Sequence, residues 1–160
     1  IRDRLNTLRV AVWSPGVLDA DEQTQLRPFT YKVQTLDGTP LEVAIGKGTV
    51  TFISYWATWC PPCIAELPSI QELYTAYGDR VQFLLITNET PEVVKRFLDK
   101  KNYDLPVVFP RMQPPKELFE RSIPTNYLID QHGNIIIKEK GASNWNSAGV
   151  REVFEVLVGA

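Results

Sequence analysis

The run Trp56-Ala57-Thr58-Trp59-Cys60-Pro61-Pro62-Cys63 decides how this chain is read, because it holds both of its cysteines, three positions apart. A structural zinc site calls for four Cys or His ligands. The chain offers two cysteines and one histidine, His132, sixty-nine residues beyond Cys63, so the reading calls for no metal. A stabilising disulfide gains from closing a long loop, and a Cys60–Cys63 bridge closes one of only four residues. What remains is redox chemistry at the start of a helix. Val50 to Trp56 is rich in β-branched and aromatic residues and reads as a central strand. A helix is predicted from about Pro61 to Tyr77, ended by Gly78. Cys60, just ahead of that helix, faces unpaired N–H groups and the positive end of the dipole, which favour thiolate and lower a thiol pKa from about 8.5 to about 7. Pro61 and Pro62 sit where helix N–H groups have no partner, so they forfeit no hydrogen bond and stiffen the turn. The roles follow: Cys60 attacks a substrate disulfide to form a mixed disulfide, and Cys63, one turn inside the helix, attacks Cys60 and releases the reduced substrate.

Composition sets the frame around this motif. The chain has 160 residues, 44% hydrophobic and 22% charged, as one globular domain does. Its 17 basic and 19 acidic side chains leave a net charge of −2, with no field to steer it to nucleic acid or anionic lipid. The longest uncharged stretch, Gly48 to Ala65, includes Pro61, Pro62 and four Ser or Thr residues and reads as strand, turn and helix start rather than a membrane span. The chain opens on Ile1 with no basic-then-apolar leader and is read as a processed or trimmed form.

Outward from the motif, strands and helices alternate. Phe29, Tyr31 and Val33 alternate with polar residues, turn at Asp37-Gly38, and return through Leu41 and Val43 as a β-hairpin. Val81 to Ile86 is a buried strand, and Thr90-Pro91-Glu92 starts a helix reaching about Asn102. Pro106 to Phe109 reads as a short strand, Pro114 to Glu120 as a short helix, and Asn126 to Asp130 and Ile135 to Lys138 as a hairpin across Gln131-His132-Gly133-Asn134. Ser147 to Val158 closes the chain as an amphipathic helix. This order implies an α/β sheet covered on both faces. Residues 1–28 stand apart: Ile1, Leu5, Leu8 and Val12 recur at helical spacing, then Ser14-Pro15-Gly16 breaks the pattern. They read as a short docking helix or as the remnant of an upstream region, ahead of a domain over residues 29–160.

The run from Trp56 to Cys63 resembles the active-site signature of the thioredoxin superfamily, and Ser122-Ile123-Pro124-Thr125 ahead of a strand resembles its cis-proline loop. Pro68, five residues after Cys63, matches the proline that kinks the family's active-site helix. The resemblance covers about residues 29–160 and implies a thioredoxin-like fold: a central mixed sheet with helices on both faces. Pro124 follows Cys63 by 61 residues, more than in a minimal thioredoxin, and the strand and helix over 106–120 fill the excess as a βα insertion before the cis-proline loop. With the N-terminal hairpin, this resembles the TlpA-like or ResA-like branch of extracytoplasmic thiol-disulfide oxidoreductases.

The resemblance carries roles to particular residues. Glu66 sits where that branch carries a Glu beneath the active site, and helical spacing of three puts it beside Cys63, where it either takes the Cys63 proton or is a solvated helix carboxylate. Where cytoplasmic thioredoxins carry a buried acid, six residues before Cys60, this chain has Ser54, which cannot act as that base. A cis Ile123–Pro124 bond would leave the Ile123 backbone free to pair with an extended substrate chain beside Cys60. Trp59, Pro61, Pro62, Ile123 and Pro124 are therefore the candidate substrate contacts, with Trp56 packed beneath the motif. His132 reads as a solvated turn residue.

The expected function is disulfide exchange with protein substrates, as a reductant in the cell envelope or periplasm, for instance keeping apocytochrome cysteines reduced in cytochrome c maturation. It needs no cofactor. An upstream redox partner, a membrane thiol reductase, would recharge it, and the domain is expected to be monomeric and anchored through a segment outside this chain. Two other readings stand beside this one. A peroxiredoxin-like peroxide reductase needs Thr and Arg donors near its thiolate, and no Arg lies within fifteen residues of Cys60. A non-catalytic module would use the Ile123-Pro124 loop to hold peptides around an idle disulfide.

Overall fold

The computed structural model describes residues 14–159; the helical pattern read at Ile1, Leu5, Leu8 and Val12 lies outside them. Seven strands form one mixed sheet: β1 (Phe29–Thr35), β2 (Pro40–Ile45), β3 (Thr51–Tyr55), β4 (Gln82–Ile86), β5 (Val107–Pro110), β6 (Thr125–Ile129) and β7 (Ile135–Lys140), in the order β2-β1-β5-β4-β3-β6-β7. β3 runs parallel to β4 and antiparallel to β6, and β4 runs parallel to β5. Strands buried on both sides need continuous apolar runs, and β3, β4 and β6 meet that need with few polar residues.

Three helices follow: α1 (Pro61–Tyr77), α2 (Pro91–Lys101) and α3 (Ala148–Val158). Each starts on an extended residue, Cys60, Thr90 or Ser147; Pro stands in the first turn of α1 and α2, and the Ser147 side chain accepts the Val150 N–H. α2 ends at Asn102 in the left-handed region with φ 58°, one of the few non-glycine residue types that tolerate it. The Asp37-Gly38 turn forms as the sequence predicts, with Gly38 at φ 91°.

Alternation along the strands sorts side chains to two faces. Phe52, Leu85 and Leu128 join Leu67, Ile70 and Leu73 of α1, Val94 and Leu98 of α2, and Val150 and Phe154 of α3 in one cluster. Ile53, Leu84, Tyr127 and Tyr31 form the opposite cluster, which Leu118 and Leu26 close. The stretch expected as a helix over 114–120 is a single 3₁₀ turn, Lys116–Leu118. Pro114 and Pro115 hold the chain extended ahead of it and Phe119 is extended after it, so too few residues remain for an α-turn to propagate. The insertion before the cis-proline loop is thus a strand plus one turn. Residues 18–26 lie along the start of β7: Leu18 N–H donates to the Ile136 carbonyl at 2.9 Å, Leu26 N–H to Gly133 at 2.8 Å, and Ile135 N–H to Thr24 at 2.9 Å.

Candidate active site

The active-site loop leaves the carboxyl end of β3, where open α/β sheets present their ligand sites. Cys60 is the N-cap of α1, and Cys63 lies inside the helix's first turn. The two are joined as a disulfide with Cα atoms 5.2 Å apart. The Cys63 N–H points at Cys60 Sγ at 3.4 Å, the capping contact that would stabilise a thiolate there once the bridge opens. Cys63 is fully buried and Cys60 is 4% exposed. Inside α1, Pro68 has no N–H to offer the carbonyl one turn back.

The loop ahead of Cys60 is fastened to the end of β4. The Thr58 N–H donates to Glu89 Oε1 at 2.8 Å, the Thr58 hydroxyl donates to Glu89 Oε2, and the Thr87 hydroxyl donates to Glu89 Oε1 at 2.8 Å. Trp56 N–H donates to the Ile86 carbonyl at 3.1 Å, and its buried ring packs 5.7 Å from Phe97 of α2. Trp59 stands out of this frame at 71% exposure, while Pro61 and Pro62 are half-buried.

The Ile123–Pro124 peptide bond is cis, and the Ile123 carbonyl lies 3.9 Å from Cys60 Sγ. Residues 61 positions apart in sequence, Cys63 and Pro124, thus belong to one site. Ile123 also forms the end of a cleft of about 390 Å³ floored by Tyr31, Tyr55 and Trp56 and walled by Phe119 and Arg121. Tyr31 and Tyr55 share a hydrogen bond at 3.0 Å, and burial raises both phenols above their ordinary value.

Beneath Cys63, Glu66 is 1% exposed, so it is not the solvated helix carboxylate of the alternative reading. Its Oε1 accepts from Asn126 Nδ2 at 2.7 Å, and its Oε2 accepts from the Ser143 N–H at 3.1 Å and from Trp145 Nε1 at 3.3 Å. Ser69 ties the same loop to α1, donating to the Glu66 carbonyl at 2.8 Å and accepting the Trp145 N–H at 3.0 Å. Ser54 faces Asn126 in the β3–β6 register, fully buried and with no partner for its hydroxyl. His132 lies in the β6–β7 turn, where its N–H donates to Asp130 Oδ1 at 2.9 Å.

Four polar partners of this site escaped sequence reading. Glu89 lies 31 residues from Thr58, and its stretch carries only a helix-start signal. Asn126 reads as an ordinary strand residue, and Ser143 contributes through its backbone. Trp145 did leave a signal: a large aromatic within the polar run Ala142-Ser143-Asn144-Trp145-Asn146 needs a reason to be there, and here it is fully buried with its ring edge-on to Phe52 at 5.0 Å.

Known proteins agree with this geometry. The Redoxin family profile matches residues 22–157. The sporulation thiol-disulfide oxidoreductase A of Bacillus subtilis is 29% identical over 134 residues, covering 80% of this chain and 81% of that protein. The thiol-disulfide oxidoreductase ResA of Bacillus thuringiensis subsp. konkukian is 32% identical over 114 residues, covering 69% of this chain and 66% of that protein. Among solved structures, StoA from Bacillus subtilis superposes with a TM-score of 0.61 at 26% identity, over 81% of this chain and 96% of that one. The fold, the Cys60–Cys63 pair and these likenesses converge: the chain belongs to the Redoxin family and is a ResA-like thiol-disulfide oxidoreductase of the thioredoxin superfamily.

Proposed function

We propose that the chain reduces protein disulfides, with Cys60 as nucleophile, Cys63 as resolving thiol and Glu66 as the acceptor of the Cys63 proton. The observation that carries this reading is the position of Cys60 Sγ, at the N-cap of α1 and 3.9 Å from the Ile123 carbonyl ahead of a cis Pro124. The Cys60 thiolate attacks one substrate sulfur, and the other leaves as a thiolate that takes a proton from water. Cys63 then gives its proton to Glu66 and attacks Cys60 Sγ, releasing the second substrate sulfur as a thiolate that takes a proton from water; two electrons pass to the substrate and the Cys60–Cys63 bridge reforms. An extended substrate chain pairs with the Ile123 backbone and lies against Trp59, Pro61, Pro62 and Pro124.

The resemblance to the TlpA-like branch supports a place in the cell envelope or periplasm, with substrates such as apocytochrome cysteines in cytochrome c maturation. It also supports recharging by a membrane thiol reductase. Among the described residues no helix is long and apolar enough to cross a membrane. In this proposal the oxidoreductase domain spans residues 29–160 and acts as a monomer, with residues 1–28 an N-terminal extension. Insulin reduction tests the proposal. Cys60→Ser is expected to abolish turnover and Cys63→Ala to accumulate a mixed disulfide; unchanged turnover in Cys60→Ser would overturn it.

A further inference from the structure

The carboxylate of Glu89 collects three donors, the Thr58 N–H, the Thr58 hydroxyl and the Thr87 hydroxyl. Among the described residues no Lys, Arg or His forms an ion pair with it. Its contacts fix the backbone two residues ahead of Cys60. They also place a carboxylate, with no cation in ion-pair contact among the described residues, against the segment that carries Cys60.

We propose that Glu89 is a positioning residue of the redox centre, which anchors the Thr58-Trp59-Cys60 loop and whose charge biases the couple toward the disulfide form, making the dithiol a stronger reductant. The reasoning is a balance. The α1 N-terminus and the Cys63 N–H favour the Cys60 thiolate, and a thiolate stabilised without opposition makes a couple more oxidising. A fixed carboxylate opposes that stabilisation. Other charged groups to weigh are Glu92, in the first turn of α2 three residues after Glu89; Glu66, buried beneath Cys63; Glu120, paired with Lys140 at 2.9 Å; and Arg121, exposed where it lines the cleft. Glu89 is the one seen bonded to the segment that carries Cys60. The inference rests on Cys60 being the reactive thiol of the function proposed above.

The test titrates the Cys60 thiol by thiolate absorbance. It also measures the equilibrium in which the dithiol form and glutathione disulfide give the protein disulfide and two glutathiones. Glu89→Gln keeps the shape and removes the charge. Its Cys60 titration is expected to move down by about half a unit to one unit, and its equilibrium three- to tenfold toward the dithiol. Glu89→Asp, which keeps the charge, is expected to stay near the unmodified chain. Equal behaviour of the Gln variant and the unmodified chain, or the same shift in Gln and Asp, would overturn the proposal. If Glu89→Gln does not fold, the matched pair Glu89→Asp and Glu89→Asn isolates the charge. The titration reads Glu89 independently of turnover, so an unmodified chain that failed to reduce insulin would overturn the function proposed above and leave the Glu89 result standing.

Discussion

Each of the two cysteines has its own carboxylate, and the two carboxylates are held in opposite ways. Glu66, beneath Cys63, is 1% exposed and bonded by a side-chain amide, a backbone N–H and an indole drawn from β6 and the loop after β7. Glu89, on the Cys60 side, is half-buried and bonded by two threonines at the ends of β3 and β4. The inner one is embedded in the core, out of contact with water. The outer one faces the loop ahead of Cys60. In the roles proposed above, the acid on the Cys63 side takes part in proton transfer and the acid on the Cys60 side tunes the nucleophile.

The largest effect expected to break this contrast is Glu66→Gln. It should slow release of the mixed disulfide by Cys63 about a hundredfold at neutral pH and flatten that step's pH profile, while moving the Cys60 titration less than Glu89→Gln does. Rapid-mixing kinetics on a Cys60-linked substrate measure it, and an unchanged rate and profile would remove Glu66 from the proton path.

The opposite face of the sheet sharpens the comparison at high pH. Burial pushes the Tyr127 phenol up to about 12, with the Glu120 charge adding to it. The fold therefore holds that proton more tightly than the unfolded chain does. Its contribution, of order 2 kcal/mol, is whole below pH 10 and is lost as pH rises toward 12. Urea unfolding of the disulfide form between pH 9 and 12, where no thiol titrates, should show this fall. Tyr127→Phe should reduce it.

Smaller effects bear on how the inner acid is held. Trp145→Phe keeps an aromatic ring against Phe52 and removes one donor to Glu66, for an expected loss of about 1–2 kcal/mol in unfolding free energy. Trp59→Ala, at 71% exposure, should change stability by less than about 0.5 kcal/mol while raising the KM for a protein disulfide.

The sequence carries the site where local rules apply and loses it where partners are distant. The Cys-Pro-Pro-Cys start of α1, the stop at Gly78 and the closing amphipathic helix from about Ser147 are local patterns, and each is found in place. Helical spacing puts Glu66 next to Cys63 but says nothing of its burial, which comes from Asn126, Ser143 and Trp145, at least 60 residues away. Glu89 is hidden for the same reason. The segment at 114–120 misled in the other direction: its composition suits a helix, and the Pro114-Pro115 pair together with the extended backbone at Phe119 leaves room for one 3₁₀ turn.

The hydrogen bonds that residues 18–26 make to β7 also bear on how the molecule behaves among other chains. β7 is the last strand of the sheet, and an uncovered edge is a template for a second chain to pair with and aggregate. Leu18 and Thr24 occupy main-chain groups of Ile136 and Ile135 on that edge, and Leu26 anchors the cover in the core at 1% exposure. The other edge, β2, opens on Pro40 and carries Glu42, a proline and a charge that discourage strand addition. Each edge of the sheet thus carries its own obstacle to strand addition, a paired segment along the start of β7 and a proline with a charge on β2.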